Sequence, residues 1–183
     1  MSHFFSLFLV FALYARAQGC PHFQTPEQSL GFLSRHNAAD QSECIDAALH
    51  ALEQIDLTTP QIIDVARFVG HVRVLNNGEK QGFFIHTPSR ASLYPAVSVL
   101  SHQGQRSADV VMNILATPTD PETLRSAEAV LFTIYSRNPE SGIQAIREFA
   151  SKHPRLRSAE LNHVRDRLIR ACEADTPGAC TRK

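Results

Sequence analysis

The sequence predicts an all-α protein, from helix-start motifs that recur along the chain and from apolar residues at the helical period. Four short segments place a side-chain oxygen directly before a proline that is followed by Glu or Gln. They are Thr25-Pro26-Glu27, Thr59-Pro60-Gln61, Asp120-Pro121-Glu122 and Asn138-Pro139-Glu140. The oxygen caps free backbone N–H groups, proline lacks the N–H that the first turn leaves unpaired, and an acidic side chain complements the helix dipole. Each segment therefore indicates the start of a helix.

Apolar stripes with three- and four-residue spacing account for most of the chain. They lie within residues 45–55, 62–72, 93–100, 110–115, 124–134, 143–149 and 161–172. Together with a short helix near Leu30 and Leu33, they predict about eight helices. Because the connections are short and contain proline, successive helices are expected to pair antiparallel. The exception is residues 75–90, the longest predicted loop, which contains the one candidate strand at residues 81–87, with Phe83-Phe84-Ile85 at its centre.

Similarity between stretches of the chain suggests how the helices are arranged. Residues 44–55 and 124–134 share an order of small and large side chains. Residues 120–134 (DPETLRSAEAVLFTI) resemble the second half of a HEAT-like repeat, in which an Asp-Pro turn precedes a helix with an early Arg and an Ala-rich packing face. The resemblance covers residues 92–152, and residues 41–74 more faintly. It implies a short α-solenoid of stacked helical hairpins, with a compact orthogonal helical bundle as the alternative.

The first 17 residues are predicted to be a signal peptide. Residues 4–15 (FFSLFLVFALYA) have the length of a signal-peptide apolar region and are too short to span a membrane as a helix. Ala15-Arg16-Ala17 has the small-x-small form of a cleavage site, so residues 18–183 form the predicted mature domain. Gly19-Cys20 leaves a bacterial lipoprotein signal as an alternative, in which a lipid on Cys20 anchors the protein to a membrane. The expected location is therefore secreted or periplasmic, and a membrane is expected as a partner only if Cys20 is lipidated.

Four cysteines follow the predicted cleavage site, at Cys20, Cys44, Cys172 and Cys180. An even number of cysteines in an exported chain indicates disulfides, and four cysteines allow three connectivities. We expect Cys20–Cys44 and Cys172–Cys180, because short separations close most easily. Zinc is the alternative, but it needs closely spaced ligand pairs such as Cys-x-x-Cys, which the sequence lacks.

The composition and motifs exclude several classes of function. Lys plus Arg and Asp plus Glu each number 18, so the net charge is zero and nucleic acid is not an expected partner. The sequence contains no His-Glu-x-x-His, Gly-x-Ser-x-Gly, phosphate-loop or dinucleotide motif. We therefore predict no metal, cofactor or catalytic residue. The pairs Asp46/His50 and Glu160/His163 share helix faces and are interpreted as surface contacts.

One short motif keeps an enzymatic alternative open. Glu140-Ser141-Gly142 resembles the Glu-Ser beside the catalytic acid of lysozyme-like transglycosylases. The resemblance implies a small exported hydrolase that acts on cell-wall or extracellular polymer, with Glu140 as its acid. An acid of that kind works from within a cleft.

The favoured hypothesis is an exported, non-enzymatic helical-repeat module that binds another protein or a peptide, because stacked hairpins form a surface suited to such partners. Two segments supply candidate contacts. The first is the apolar cluster of Phe83, Phe84 and His86, which we interpret as a plug of the core, with a contact surface as the alternative. The second is the basic stretch 147–170, with Arg157, Arg167 and Arg170, in which seven Lys or Arg residues accompany three acids. A solvated helix face is the simpler interpretation of that stretch.

Overall fold

The chain folds into helices, as predicted. The computed structural model describes residues 19–40, 42–75, 89–156 and 159–175. Within these ranges it contains nine helices and no strand, which confirms the all-α class. The helices are α1 (Pro26–Leu33), α2 (Glu43–His50), α3 (Thr59–Ala66), α4 (Arg90–Leu93), α5 (Pro95–His102), α6 (Gln105–Leu115), α7 (Pro121–Tyr135), α8 (Pro139–Lys152) and α9 (Ala159–Asp175). The candidate strand at residues 81–87 lies outside the described residues.

All four Pro-containing motifs begin helices. The Thr25 hydroxyl accepts a hydrogen bond from the Gln28 backbone N–H and caps α1. Asp120 accepts the backbone N–H groups of Glu122 and Thr123 at the start of α7. At α3 the cap lies one residue earlier than the motif suggests, on Thr58, so that the proline takes the second helical position. These four helix starts were therefore predictable from local cap chemistry.

Three predicted stripes do not correspond to single helices. The stripe at 45–55 extends past α2, which ends at His50, so that Leu52 and Ile55 lie beyond the helix. The stripe at 62–72 leaves the helical path after Ala66, because the chain turns sharply where Gly70 passes against Thr123. A Cβ atom at Gly70 would clash with the Thr123 hydroxyl and lie 3.3 Å from its Cα. The stripe at 93–100 is divided at Tyr94, which ends α4 and precedes Pro95 at the start of α5.

The helices pack in two rows. In one row α1 packs against α3, α3 against α6, and α6 against α8; in the other, α2 packs against α5, α5 against α7, and α7 against α9. Contacts between the rows join α1 to α2, α3 to α5, α6 to α7, α7 to α8 and α8 to α9, with α6 also reaching α9. The apolar side chains buried between the rows form one continuous core. Each helix therefore contacts mainly its near neighbours in sequence.

The N-terminal disulfide is confirmed. Cys20 is bonded to Cys44 at the start of α2, with 4.9 Å between their Cα atoms. Since the Cys20 sulfur is used in this bond, it has no thiol to carry a lipid, which counts against the anchored alternative. Cys172 is also disulfide-bonded, and Cys180 lies outside the described residues. None of the helices in the described ranges is long and apolar enough to cross a membrane.

A buried histidine, His71, links the chain after α3 to α2 and to the segment that follows α1. His71 is 0 % exposed, and its Nε2 lies 2.8 Å from the Asp46 carboxylate of α2. Its Nδ1 lies 3.3 Å from the Ala38 carbonyl, while the second Asp46 oxygen accepts the Val74 N–H at 2.8 Å. A His–Asp pair also occurs in catalytic triads, but this imidazole has no access to a substrate. We interpret the pair as structural.

Candidate functional site

Two clefts lie on opposite sides of α6 on the outer surface of the row formed by α1, α3, α6 and α8. The first, here called the α3–α6 groove, has a volume of about 640 Å³ and exposes mainly apolar surface. Its walls include Ile63 of α3 and Val110 and Ile114 of α6, and Thr117 and Asp120 lie at one end. Val110 and Ile114 are partly buried against the core, whereas Ile63 is 50 % exposed. Ile63 therefore extends the apolar wall of the groove to solvent.

The second, here called the Tyr135 cleft, lies between α6 and α8 and has a volume of about 350 Å³. Its lining is polar and charged, in contrast to the groove. Asp109 of α6 and Glu148 and Lys152 of α8 line it, with the rings of Phe149 and His153. Tyr135, the last residue of α7, contributes its side chain and is only 4 % exposed.

The Tyr135 cleft has a negative electrostatic environment around its phenol. Burial raises the pKa of Tyr135, and the nearby carboxylate of Asp109 raises that pKa further because it repels a phenolate. Asp109 forms no ion pair with any described residue, whereas the Glu148 carboxylate accepts a hydrogen bond of 2.7 Å from Gln144. The cleft therefore combines a protonated phenol with a carboxylate that has no ionic partner in the described part of the chain.

Gly142 allows α8 to lie close to Tyr135. A Cβ atom at Gly142 would lie 2.6 Å from the Tyr135 Cβ and 2.7 Å from a methyl group of Leu168. No real Cβ atom tolerates such distances, so any larger residue must move α8 or Tyr135. The glycine of the Glu140-Ser141-Gly142 motif thus has a packing role between α7, α8 and α9.

The two clefts meet at one residue. Asn113 of α6 lines both, and its side-chain amide donates to the Asp109 carbonyl at 2.9 Å. Val110 and Ile114 face the groove, while Gln105, Ala108 and Asp109 face the cleft. The helical period therefore gives α6 one apolar and one polar flank on the same outer surface.

Neither of the two sequence-predicted contact residues that the structure describes, Arg167 and Arg170, lines either cleft. Phe83, Phe84, His86 and Arg157 lie outside the described residues. Arg167 of α9 lies over the ring of Phe132 of α7, with its guanidinium carbon 4.4 Å from the ring centroid. Arg170 is exposed on α9, in the other row of helices. The stripe of α9 that was expected to face the core is buried, at Leu161, Val164 and Leu168.

The Glu140 motif lies outside both clefts. Glu140 is an exposed residue of the first turn of α8, where a carboxylate complements the positive end of the helix dipole. The two histidine–carboxylate pairs also differ from the expected ones. His50 pairs with Glu53 at 3.2 Å while Asp46 pairs with His71, and His163 pairs with Glu128 of α7 at 3.1 Å.

No pattern in the sequence distinguishes the lining of these clefts from core packing. Ile63 follows the core residue Ile62 in α3, and because successive residues of a helix face different directions, Ile63 stays half-exposed beside the groove. Tyr135 and Asp109 are 26 positions apart, and only the packing of α7 beside α6 joins them. Within the described ranges, no three His, Cys, Asp or Glu side chains are grouped so that they could hold a metal ion.

Comparisons of the chain with models of protein families, with curated proteins and with solved structures find no match.

Proposed function

We propose that this protein is an exported helical-repeat module, without enzymatic activity, that binds a segment of another protein in the α3–α6 groove. The observation that carries the proposal is the groove itself. Half-exposed Ile63 borders an apolar depression of about 640 Å³ whose floor includes Val110 and Ile114. Apolar depressions of this kind accept the anchoring side chains of a partner segment.

The packing order of the helices supports the repeat part of the proposal. Successive helices within each row contact one another, as stacked hairpins do, and stacked hairpins form extended binding surfaces. Export is supported by the apolar segment at residues 4–15 and by the Cys20–Cys44 disulfide, because disulfides persist in oxidising compartments.

Site-specific photo-crosslinking tests the groove. A benzophenone amino acid replaces Thr117, an exposed residue at the groove end, and in a parallel protein it replaces Asn162, which is exposed on α9. The proteins are expressed in the native host and irradiated. We expect a defined protein adduct from position 117 and none of comparable yield from position 162.

Matched substitutions show whether the groove itself makes the contact. In the position-117 background, Ile63→Asp should reduce the adduct at least about tenfold, because it places a carboxylate where an apolar anchor binds. Val72→Asp is the control, since Val72 is a second exposed aliphatic residue, 37 % exposed, outside the groove lining. Equal adduct yields from positions 117 and 162, or equal effects of the two aspartates, would contradict the proposal.

A further inference from the structure

The turn that follows α3 contacts the wall of the α3–α6 groove at two points. The Nδ1 atom of His71 lies 3.3 Å from the carbonyl oxygen of Ala38, and Ala38 is one of the residues that line the groove. The preceding residue, Gly70, packs against Thr123, which lines the same groove. The position of this part of the wall therefore depends on how His71 is held.

Both ring nitrogens of His71 face hydrogen-bond acceptors. Nε2 lies 2.8 Å from one carboxylate oxygen of Asp46, and Nδ1 faces the Ala38 carbonyl. The second Asp46 oxygen accepts the Val74 N–H at 2.8 Å, which holds the carboxylate in place. The residue is 0 % exposed, so solvent does not replace either bond. Only an imidazolium, which carries a hydrogen on each nitrogen, donates to both acceptors.

A neutral imidazole makes only one of these two bonds. It has a single N–H, and its other nitrogen presents a lone pair. The hydrogen stays on Nε2, because a hydrogen bond to a carboxylate is stronger than one to a carbonyl. Nδ1 of His71 then turns a lone pair toward the Ala38 oxygen, and the two lone pairs repel. Loss of one proton thus converts an attractive contact with the groove wall into a repulsive one.

Other titratable and charged side chains lie on the elements that meet at His71, and each has contacts of its own. They are His36 and Asp40 after α1, His50 and Glu53 of α2, Arg67 at the end of α3, and Arg73. From α7 the turn meets Thr123, which is uncharged. Within the described residues, the ring of His71 is hydrogen-bonded only to Asp46 and Ala38.

We propose that the second proton of His71 regulates the α3–α6 groove. While His71 carries both ring hydrogens, the wall at Ala38 is held in place and the groove binds its partner segment. As the pH rises through the titration of His71, the bond to Ala38 is lost and binding weakens. The regulation of partner binding rests on the proposed function, whereas the contact between His71 and Ala38 does not.

Nuclear magnetic resonance tests this contact in the full chain without any partner. The histidine rings carry a nitrogen label and the alanine carbonyls a carbon label. As the pH rises, we expect Nδ1 of His71 to lose its hydrogen while Nε2 keeps its own. The resonance of the Ala38 carbonyl should shift with the same midpoint. A carbonyl that does not follow the ring, or loss of the hydrogen from Nε2 instead, would overturn the proposal.

The variant Asp46→Asn distinguishes proton-dependent contact from ordinary packing. The introduced amide donates an N–H to Nε2 of His71 and still accepts the Val74 N–H through its oxygen. Neutral His71 then carries its hydrogen on Nδ1 and keeps the bond to Ala38. We therefore expect the Ala38 carbonyl of this variant to keep its low-pH position as the pH rises. A response equal to that of the wild type would show that Asp46 does not direct the proton, and the proposal would be wrong.

Two other histidines provide matched controls. His50→Gln removes an exposed ring of α2 that pairs with Glu53, and His36→Gln removes a ring from the segment that carries Ala38. Both variants retain His71, so both should retain the pH-dependent shift of the Ala38 carbonyl. If either substitution abolishes that shift, the response belongs to the substituted histidine and not to His71.

The crosslinking experiment connects this contact to the groove. With the photo-crosslinker at position 117 and host cells in buffers that span the titration of His71, the adduct yield should fall about two- to tenfold as the pH rises, the effect expected for one hydrogen bond. Asp46→Asn should remove this pH dependence, which excludes a response of the partner itself.

The two experiments separate this inference from the proposed function. If the Ala38 carbonyl follows His71 but the adduct yield does not change with pH, regulation of the groove by His71 is wrong. If no adduct forms at any pH, the proposed function fails and regulation of partner binding fails with it, while the resonance titration still decides whether the proton of His71 holds Ala38.

Discussion

Gly104 forms the turn between α5 and α6 in a backbone conformation that other residues rarely adopt. Its φ is +59° and its ψ is −137°, and an added Cβ atom would meet nothing within 4 Å. The cost of Gly104→Ala is therefore due to the backbone alone, and we expect about 1–3 kcal/mol of lost stability in urea unfolding.

A second glycine provides the control for this prediction. Gly31 in α1 also has open space where the methyl group of an alanine would lie, but its φ is outside the positive range. Gly31→Ala should leave stability unchanged or raise it by about 0.5–1 kcal/mol, because alanine favours a helix. Equal losses for the two variants would show that the turn at Gly104 is not restrictive.

The raised pKa of Tyr135 makes a second prediction at the residue scale. Because the folded protein holds this proton more tightly than the unfolded chain, Tyr135 contributes stability that is present below the unfolded pKa, about 10, and is lost as pH rises through the folded pKa. Asp109→Asn should lower the pKa of Tyr135, since it removes the repelling carboxylate. Absorbance titration of the phenols measures this pKa, and an unchanged curve would contradict the role given to Asp109.

In the Tyr135→Phe variant, the fraction of the alkaline loss of stability that ionisation of Tyr135 causes should be absent.

At the scale of helices, the start of α7 depends on a charged cap. Asp120 accepts two backbone N–H groups, and its pKa is lowered first by its hydrogen bond with the Thr123 side chain and then by that with the Thr123 N–H. Asp120→Ala should destabilise the protein by about 1 kcal/mol at neutral pH. Asp120→Asn should cost much less, because asparagine caps helices equally well. The wild-type advantage over Asp120→Ala should shrink as the pH falls through the lowered pKa, and urea midpoints at several pH values will show whether it does.

Cap chemistry also explains which helices were predictable. A motif such as Asp120-Pro121 carries its own hydrogen-bond partners within three residues, so its role is fixed locally. The end of α3 is fixed from a distance, by the packing of Gly70 on Thr123 and by the pairing of His71 with Asp46. The two clefts depend on α6 packing between α3 and α8, which no local pattern encodes. The class of fold and the Cys20–Cys44 bond were therefore accessible from the sequence, and the clefts were not.

At the scale of the whole molecule, the arrangement of helices decides how far a local opening spreads. In a stack of hairpins each unit is stabilised by its neighbours, so loss of one end leaves the other end folded, whereas a compact bundle unfolds as one unit. The Cys20–Cys44 bond closes a loop of sequence separation 24 and ties the chain before α1 to α2. Loss of this bond should lower the free energy of unfolding by about 2–4 kcal/mol. The effect should be largest where α1 and α2 pack on α3 and α5.

The double variant Cys20→Ser/Cys44→Ser retains the disulfide at Cys172 and distinguishes a stack of hairpins from a compact bundle. For a stack, hydrogen exchange followed by mass spectrometry should show faster exchange of the amides of α1 and α2, while α7, α8 and α9 keep their wild-type protection. The reason is that the C-terminal helices pack on one another and on α5 and α6. Acceleration of all helices by the same factor would instead indicate a single cooperative bundle. That result would remove the structural basis for a groove-bearing repeat module, even if the α3–α6 groove itself binds a partner.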